Sequence, residues 1–183
     1  MNVVVITSAD AINLDAFFAA LAESLSDSGV NCAFLDGRAL GWCVPVDFPD
    51  RSLIVQDNLC SCARNYADAG ARYAFAWYAF SSQREIDDIG RKLRDAGHGV
   101  LAVGLVAQGA VLAERYRREH ADEAPADGIE SVTTCDTRIR NLHGIEVLDT
   151  SGLSMKETAL DVLHLIGTDD NFSFARKVQG TTI

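Results

Sequence analysis

The chain has 183 residues, 48% of them apolar and 23% charged, with three prolines, which is the composition of one ordinary globular domain folded over nearly its whole length. Its formal charge of −10 argues against the clustered Lys and Arg that nucleic acid or anionic lipid requires. Five cysteines and the lack of a charged-then-apolar opening segment lead us to expect reduced thiols in a cytoplasm, and no apolar run approaches the roughly 20 residues of a membrane span.

The first element predicted is a strand over residues 2–7, a β-branched run without alternation that suits a parallel sheet covered on both faces. Leu14, Phe17, Phe18, Leu21 and Leu25 then recur at helical spacing, and Gly29 stops the helix. A second strand over 31–35 leads into a turn at Asp36, Gly37 and Arg38, followed by a helix over 53–69 closed by Gly70. Residues 71–80 form the third strand. Ser82 with Glu85 makes a capping box that opens a helix ending near Gly97. The fourth strand spans 100–106, the next helix carries Glu114 to Glu119, and the polar stretch 121–128 is expected to be a mobile loop. A helix over 129–141, a fifth strand over 144–148, and a helix capped by Ser154 and Glu157 and running through Ile166 complete the pattern. Five strands alternating with helices predict an α/β fold, a three-layer α/β/α sandwich around a five-stranded parallel sheet. Ligands in that architecture bind beyond the carboxyl ends of the strands. The domain is expected over 1–167, with a tail over 168–183 docking on it or on a neighbouring subunit.

Several phrases in this order carry a resemblance. They are the opening strand and helix, Leu35-Asp36-Gly37-Arg38 after the second strand, Tyr66-Ala67-Asp68-Ala69-Gly70-Ala71 before the third, the basic Glu114–Glu119 helix, and Val147-Leu148-Asp149-Thr150 before the last helix. Together they resemble the P-loop small-molecule and nucleotide kinases, especially adenylylsulfate kinase-like and shikimate kinase-like proteins, from Asn2 to about Gly167. The resemblance implies a phosphate loop after the first strand, of pattern G-x-x-x-x-G-K-[ST], whose backbone amides, lysine and hydroxyl hold ATP phosphates and magnesium. Here the four specified positions fall on Ser8, Asn13, Leu14 and Asp15. None matches. Asp10 and Asp15 place negative charge where polyphosphate would lie, at about 1 to 4 kcal/mol for each close like-charge pair. Leu14 continues the apolar stripe of the helix, so the loop reads as a structural turn, or else as an acidic loop receiving an amine or a metal.

The resemblance also implies an acidic pair after the second strand. Asp36 matches its first member, but the second falls on Arg38, so an Asp and an Arg stand ready to grip a zwitterion or carboxylate, or simply to pair with each other in a turn. Arg115, Arg117 and Arg118 take the place of the kinase lid arginines, or form a solvated face balanced by Glu114 and Glu119. Trp42, Asn58, Trp77 and Tyr78 are candidate pocket walls and polar groups, with core packing as the alternative for the aromatic residues. Thr7 and Ser8, at the end of the first strand, join Asp10, Asn13 and Asp15 as candidate ligand contacts. Cys60 and Cys62 do not share a helix face, and the four histidines have no zinc spacing, so no metal site and no cofactor are implied.

These residues lead to a kinase-fold protein that has lost ATP-dependent phosphoryl transfer and binds a small molecule or a protein partner, a second copy of the chain included. Two alternatives stand beside it: an enzyme of specialised biosynthesis acting on a small metabolite, with Asp36, Arg38, Arg115 and Arg118 as its polar groups, and a small-molecule kinase with an atypical phosphate loop. No residue set specifies a reaction.

Overall fold

The structure is a computed structural model that describes residues 1–9, 11–26, 28–41, 51–80, 82–120 and 126–168. Five parallel strands, β1 (Asn2–Ser8), β2 (Cys32–Asp36), β3 (Tyr73–Trp77), β4 (Gly99–Val106) and β5 (Glu146–Asp149), lie in the order β2-β3-β1-β4-β5. Seven helices connect and cover them among the described residues: α1 (Leu14–Ser26), α2 (Gly37–Leu40), α3 (Arg51–Asp68), α4 (Gln83–Asp95), α5 (Gly109–His120), α6 (Ala126–Arg140) and α7 (Met155–Thr168). The expected α/β sandwich around a five-stranded parallel sheet is present.

β1 is central because both of its faces are apolar: Val3, Val4, Val5 and Ile6 are at most 1% exposed. Val4 and Ile6 face α1 and α7 with Phe17, Leu21, Phe75 and Val162, whereas Val3 and Val5 face α3 and α4 with Val55, Leu59, Ile89 and Leu93. The chain leaves β1 toward β2 at one edge and leaves β4 toward β5 at the other. In such a sheet a ligand is expected beyond the carboxyl ends of the strands near that divergence, past the end of β1.

Both capping boxes form, with Ser82 and Glu85 opening α4 and the Ser154 amide donating to Glu157 Oε2 at 2.8 Å before α7. Most element ends, β5 at Glu146–Asp149 rather than 144–148 among them, shift by one or two residues, and three differences from the sequence expectation are larger or change the element. The turn at 36–38 is the start of α2, for which Asp36 is the N-cap, accepting from the Arg38 amide at 2.8 Å; one helical turn is too short to show periodicity. The end of the expected mobile loop, Ala126 to Gly128, belongs to α6, where Gly128 lies against the Tyr116 ring so closely that a Cβ would collide with it. β3 stops at Trp77 rather than Phe80, since the Phe80 amide turns back to the Tyr78 carbonyl. The rest of the loop, 121–125, and the tail from 169 lie outside the described residues. Among the described residues no helix is long and apolar enough to cross a membrane.

One core group gives the fold a pH dependence. His98 is 8% exposed, and neither ring nitrogen has a hydrogen-bond partner among the described residues. Burial first, then the positive charges of Met1 and Arg64, push its pKa below the usual 6.5. The unfolded chain therefore takes up this proton before the folded one does, so the stability it reflects is complete above about pH 6.5 and is lost as the pH falls toward the lower folded pKa. We expect the thermal midpoint to fall between about pH 7 and pH 5 in the wild type and to fall less in His98→Leu, which has no proton to take up. Equal slopes in the two proteins would show that His98 does not carry the effect.

Candidate functional site

A crevice is built from the ends of β1, β2 and β3, where Asp36 and Ile6 both stand in register with Trp77. Thr7 and Ser8 end β1 fully buried. Their hydroxyls are tied to β3 and the segment after it: Thr7 Oγ1 donates to the Phe80 carbonyl at 2.9 Å, and Ser8 Oγ accepts from the Trp77 indole N–H at 2.8 Å. Asn13 caps α1, its Oδ1 accepting from the Ala16 amide at 2.9 Å. Leu14 is 3% exposed and packs into the core with Phe17 and Leu21. Asp15 projects into solvent, its side chain 93% exposed and 3.8 Å from the Arg38 guanidinium.

Arg38 is the cation of this crevice, and three contacts fix it. Its Nε and Nη2 donate to both carboxylate oxygens of Asp36 at 2.9 to 3.1 Å. Its guanidinium lies 5.2 Å above the centre of the Trp77 ring, a cation–π contact. Asp15 approaches from the third side. Exposed ion pairs contribute little to stability, so the bidentate geometry acts chiefly to orient the fork. Gly37 allows it: a Cβ there would stand 2.6 Å from the Trp77 carbonyl oxygen and 2.8 Å from the Tyr78 ring.

A cavity of about 250 Å³ opens over Ile12, Asn13, Leu14, Asp15 and Arg38, with Glu119 of α5 on its far side. Among the described residues its ionic lining is two carboxylates and one guanidinium already facing Asp36. Such a mouth repels polyphosphate and favours an amine or a zwitterion.

The structure brings Asn13, Asp15, Asp36, Arg38 and Trp77 together around this space, with Thr7 and Ser8 beneath it. Tyr78 stands behind Gly37 and meets Phe80 edge-on at 5.0 Å, away from the cavity wall. Asn58 ties α3 to α2, its Nδ2 donating to the Leu40 carbonyl at 2.7 Å. Arg115 is half-buried and turned to the loop after β5, its two Nη atoms donating to Thr150 Oγ1 at 2.9 Å and to the Thr150 carbonyl at 2.7 Å. Burial first, and then Arg118, lower its pKa from the ordinary arginine value. Arg118 pairs with Glu114 at 3.0 Å on the solvent face of α5. Asp10 and Trp42 lie outside the described residues.

Sequence reasoning gave Glu119 only a balancing role on a solvated helix face, and it passed over a second polar cluster at the ends of β4 and β5. There Asp136, 5% exposed, accepts from the Ala107 amide at 2.9 Å and from Arg140 Nε at 2.8 Å. Asp149 accepts from the Ser151 amide and hydroxyl, which hold its carboxyl below the usual range with help from Arg140. The cluster ties the two loops together, as Ser151 Oγ also accepts from the Gln108 amide. Only the i, i+4 spacing of Asp136 and Arg140 was there to signal it.

Solved structures share this arrangement of strands and helices. The Deinococcus radiodurans tunicamycin resistance protein superposes with a TM-score of 0.65 at 18% identity, over 91% of this chain and 95% of its own. The Mycobacterium tuberculosis APS kinase in complex with AMPPNP and APS gives 0.63 at 18% identity, over 91% and 98%. A gluconokinase from Sinorhizobium meliloti gives 0.61 at 14% identity, over 96% and 97%. The chain has the P-loop kinase fold. No protein-family model and no curated protein matches the sequence. At these identities the likeness establishes the kinase-like fold, and the crevice described above is where that fold presents the end of β1 and the start of α1.

Proposed function

We propose that this kinase-fold chain lacks ATP-dependent phosphoryl transfer and binds a small molecule or a protein partner at the strand-end crevice. The observation that carries the reading is Leu14. The position where the phosphate-loop lysine would stand holds an apolar side chain 3% exposed in the core, and the next position presents a carboxylate to solvent. A neutralising charge is thereby replaced by a repelling one. The Ser8 hydroxyl, engaged by the Trp77 indole, is likewise turned to the fold. The likeness to a gluconokinase and an APS kinase makes phosphoryl transfer the reading that any test must exclude.

Thermal unfolding with ATP–magnesium, ADP, sulfate, and a panel of amino acids and small acids discriminates. A specific ligand at 100 times its dissociation constant adds about 2.7 kcal/mol. We expect no shift with ATP–magnesium and no ATP turnover; a magnesium-dependent ATP shift would overturn the reading in favour of a kinase with an atypical loop.

A second reading, an enzyme acting on a small metabolite, is favoured by the fixed Arg38 fork over Trp77, which is oriented as a carboxylate clamp needs to be. Under that reading Asp36→Asn and Arg38→Ala abolish turnover of whichever panel member shifts the midpoint. Silence across the whole panel would favour a protein partner, including a second copy of the chain.

A further inference from the structure

A second cavity lies on the opposite part of the molecule, under α4. It exists because β5 pairs only with Val103–Val106 of β4, leaving Gly99–Ala102 without a neighbour on that side. Val103 is fully buried, yet Val100 and Ala102 in the same inner strand remain partly exposed. The resulting space, about 170 Å³, has an apolar patch of Val100 and Ala102 with Val5 and Ile89 beneath it, and an otherwise largely polar lining to which Asp87 and Arg94 of α4 and His143 before β5 contribute.

The mouth is unusual for this helix. Arg84 and Arg91 pair with Asp88, and Lys92 pairs with Asp57. Arg94 and Asp87 make no ion pair among the described residues, although both face one opening. Asp87 Oδ1 accepts from Gln83 Nε2. Between them stands Gly90, a buried glycine inside a helix, where glycine is about 1 kcal/mol less favourable than alanine. Its bare backbone is what the Arg94 guanidinium lies over: a Cβ at Gly90 would sit 3.0 Å from Arg94 Nη2. Helical side chains lean toward the amino terminus. Arg94 thus reaches back to the level of Gly90, and Asp87 stands one turn before it.

We propose that this cavity is a binding site for an apolar α-amino acid, separate from the strand-end crevice. The apolar side chain lies on the apolar patch, the carboxylate meets Arg94, and the ammonium meets Asp87. A ligand with both charges on one carbon answers a cation and an anion that line one opening, whereas a simple acid or amine leaves one of them unanswered.

The test is titration of the full-length chain with L-phenylalanine and L-leucine, followed calorimetrically and by backbone amide shifts. Hydrocinnamate and phenethylamine, each missing one charge, serve as controls. We expect saturable binding with shifts in α4 and the first half of β4, weakened roughly tenfold or more by Arg94→Gln, by Asp87→Asn and in each control ligand. Ala102→Leu should remove binding by filling the space; if it does not fold, the two surface charge variants still decide. No saturable binding of either amino acid would overturn the proposal. So would unchanged affinity in Arg94→Gln and Asp87→Asn, equal binding of hydrocinnamate, or shifts confined to Asn13, Asp15 and Arg38.

Discussion

Leu14→Lys, the substitution that would restore the residue type of a phosphate loop, is expected to destabilise the fold rather than to create an ATP site. Leu14 is 3% exposed and sits in one cluster with Phe17, Leu21, Trp77 and Val103. Removing a buried leucine side chain costs about 2 to 5 kcal/mol. A lysine adds the desolvation of its ammonium unless it can reach solvent along its stem. Against a total stability of about 5 to 15 kcal/mol, the midpoint of denaturant unfolding should fall steeply, with no gain of ATP binding. Asp15, the neighbouring carboxylate, would still oppose the γ-phosphate. A folded Leu14→Lys protein that binds ATP–magnesium would show that the loop keeps its phosphate geometry and that one residue had silenced it. Leu14→Met, which conserves volume, should change stability by less than about 1.5 kcal/mol and serves as the packing control.

Gly37→Ala should be nearly as damaging for a different reason. The added methyl group meets the Trp77 carbonyl oxygen at 2.6 Å and the Tyr78 ring at 2.8 Å. The first of these is backbone in the central part of the sheet, so α2 must move instead. Overpacking of this kind costs about 1 to 3 kcal/mol. The displacement also lifts Arg38, the next residue, off the Trp77 ring and away from Asp15. Loss of stability should therefore be accompanied by loss of any ligand that the strand-end crevice holds. Arg38→Ala makes the comparison useful, since it removes the guanidinium without a steric demand. We expect it to abolish ligand binding while changing stability by less than about 1 kcal/mol. If Gly37→Ala unfolds at the wild-type midpoint, the close approach of α2 to β3 is not a constraint on the fold.

Much of the architecture was readable along the chain because it rests on local periodicity. The unalternating run at residues 3–6 announced a strand buried on both faces, and the spacing of Leu14, Phe17, Leu21 and Leu25 announced the helix that covers it. The two Ser-x-x-Glu phrases marked helix starts that the structure reproduces at Ser82 and Ser154. α2 and the start of α6 were missed. One turn carries no period, and the helical placement of Ala126 to Gly128 comes with the contact between Gly128 and Tyr116 of another helix.

The crevice was legible only in part. Asp36, Arg38 and Trp77 were singled out as strand-end residues, but nothing in the sequence says that Arg38 stacks on Trp77 or that the indole N–H is directed to Ser8, 69 residues away. The same holds for the arginines of α5, where a helical wheel offers several outward directions. Arg115 turns to Thr150 and Arg118 to Glu114, and the α5 side chain that reaches the cavity is Glu119.

By itself the sequence determined the alternation of strands and helices, a property of neighbouring residues, and it alone is the basis for setting Ser8, Asn13, Leu14 and Asp15 at the positions of a phosphate loop. The tertiary structure decided which side chains meet. It set Arg38 between two aspartates above an indole, and it stopped β5 short enough to leave a cavity beside Arg94. Those outcomes depend on where distant segments cross, and a pattern of apolar residues fixes which face is buried without fixing what it is buried against.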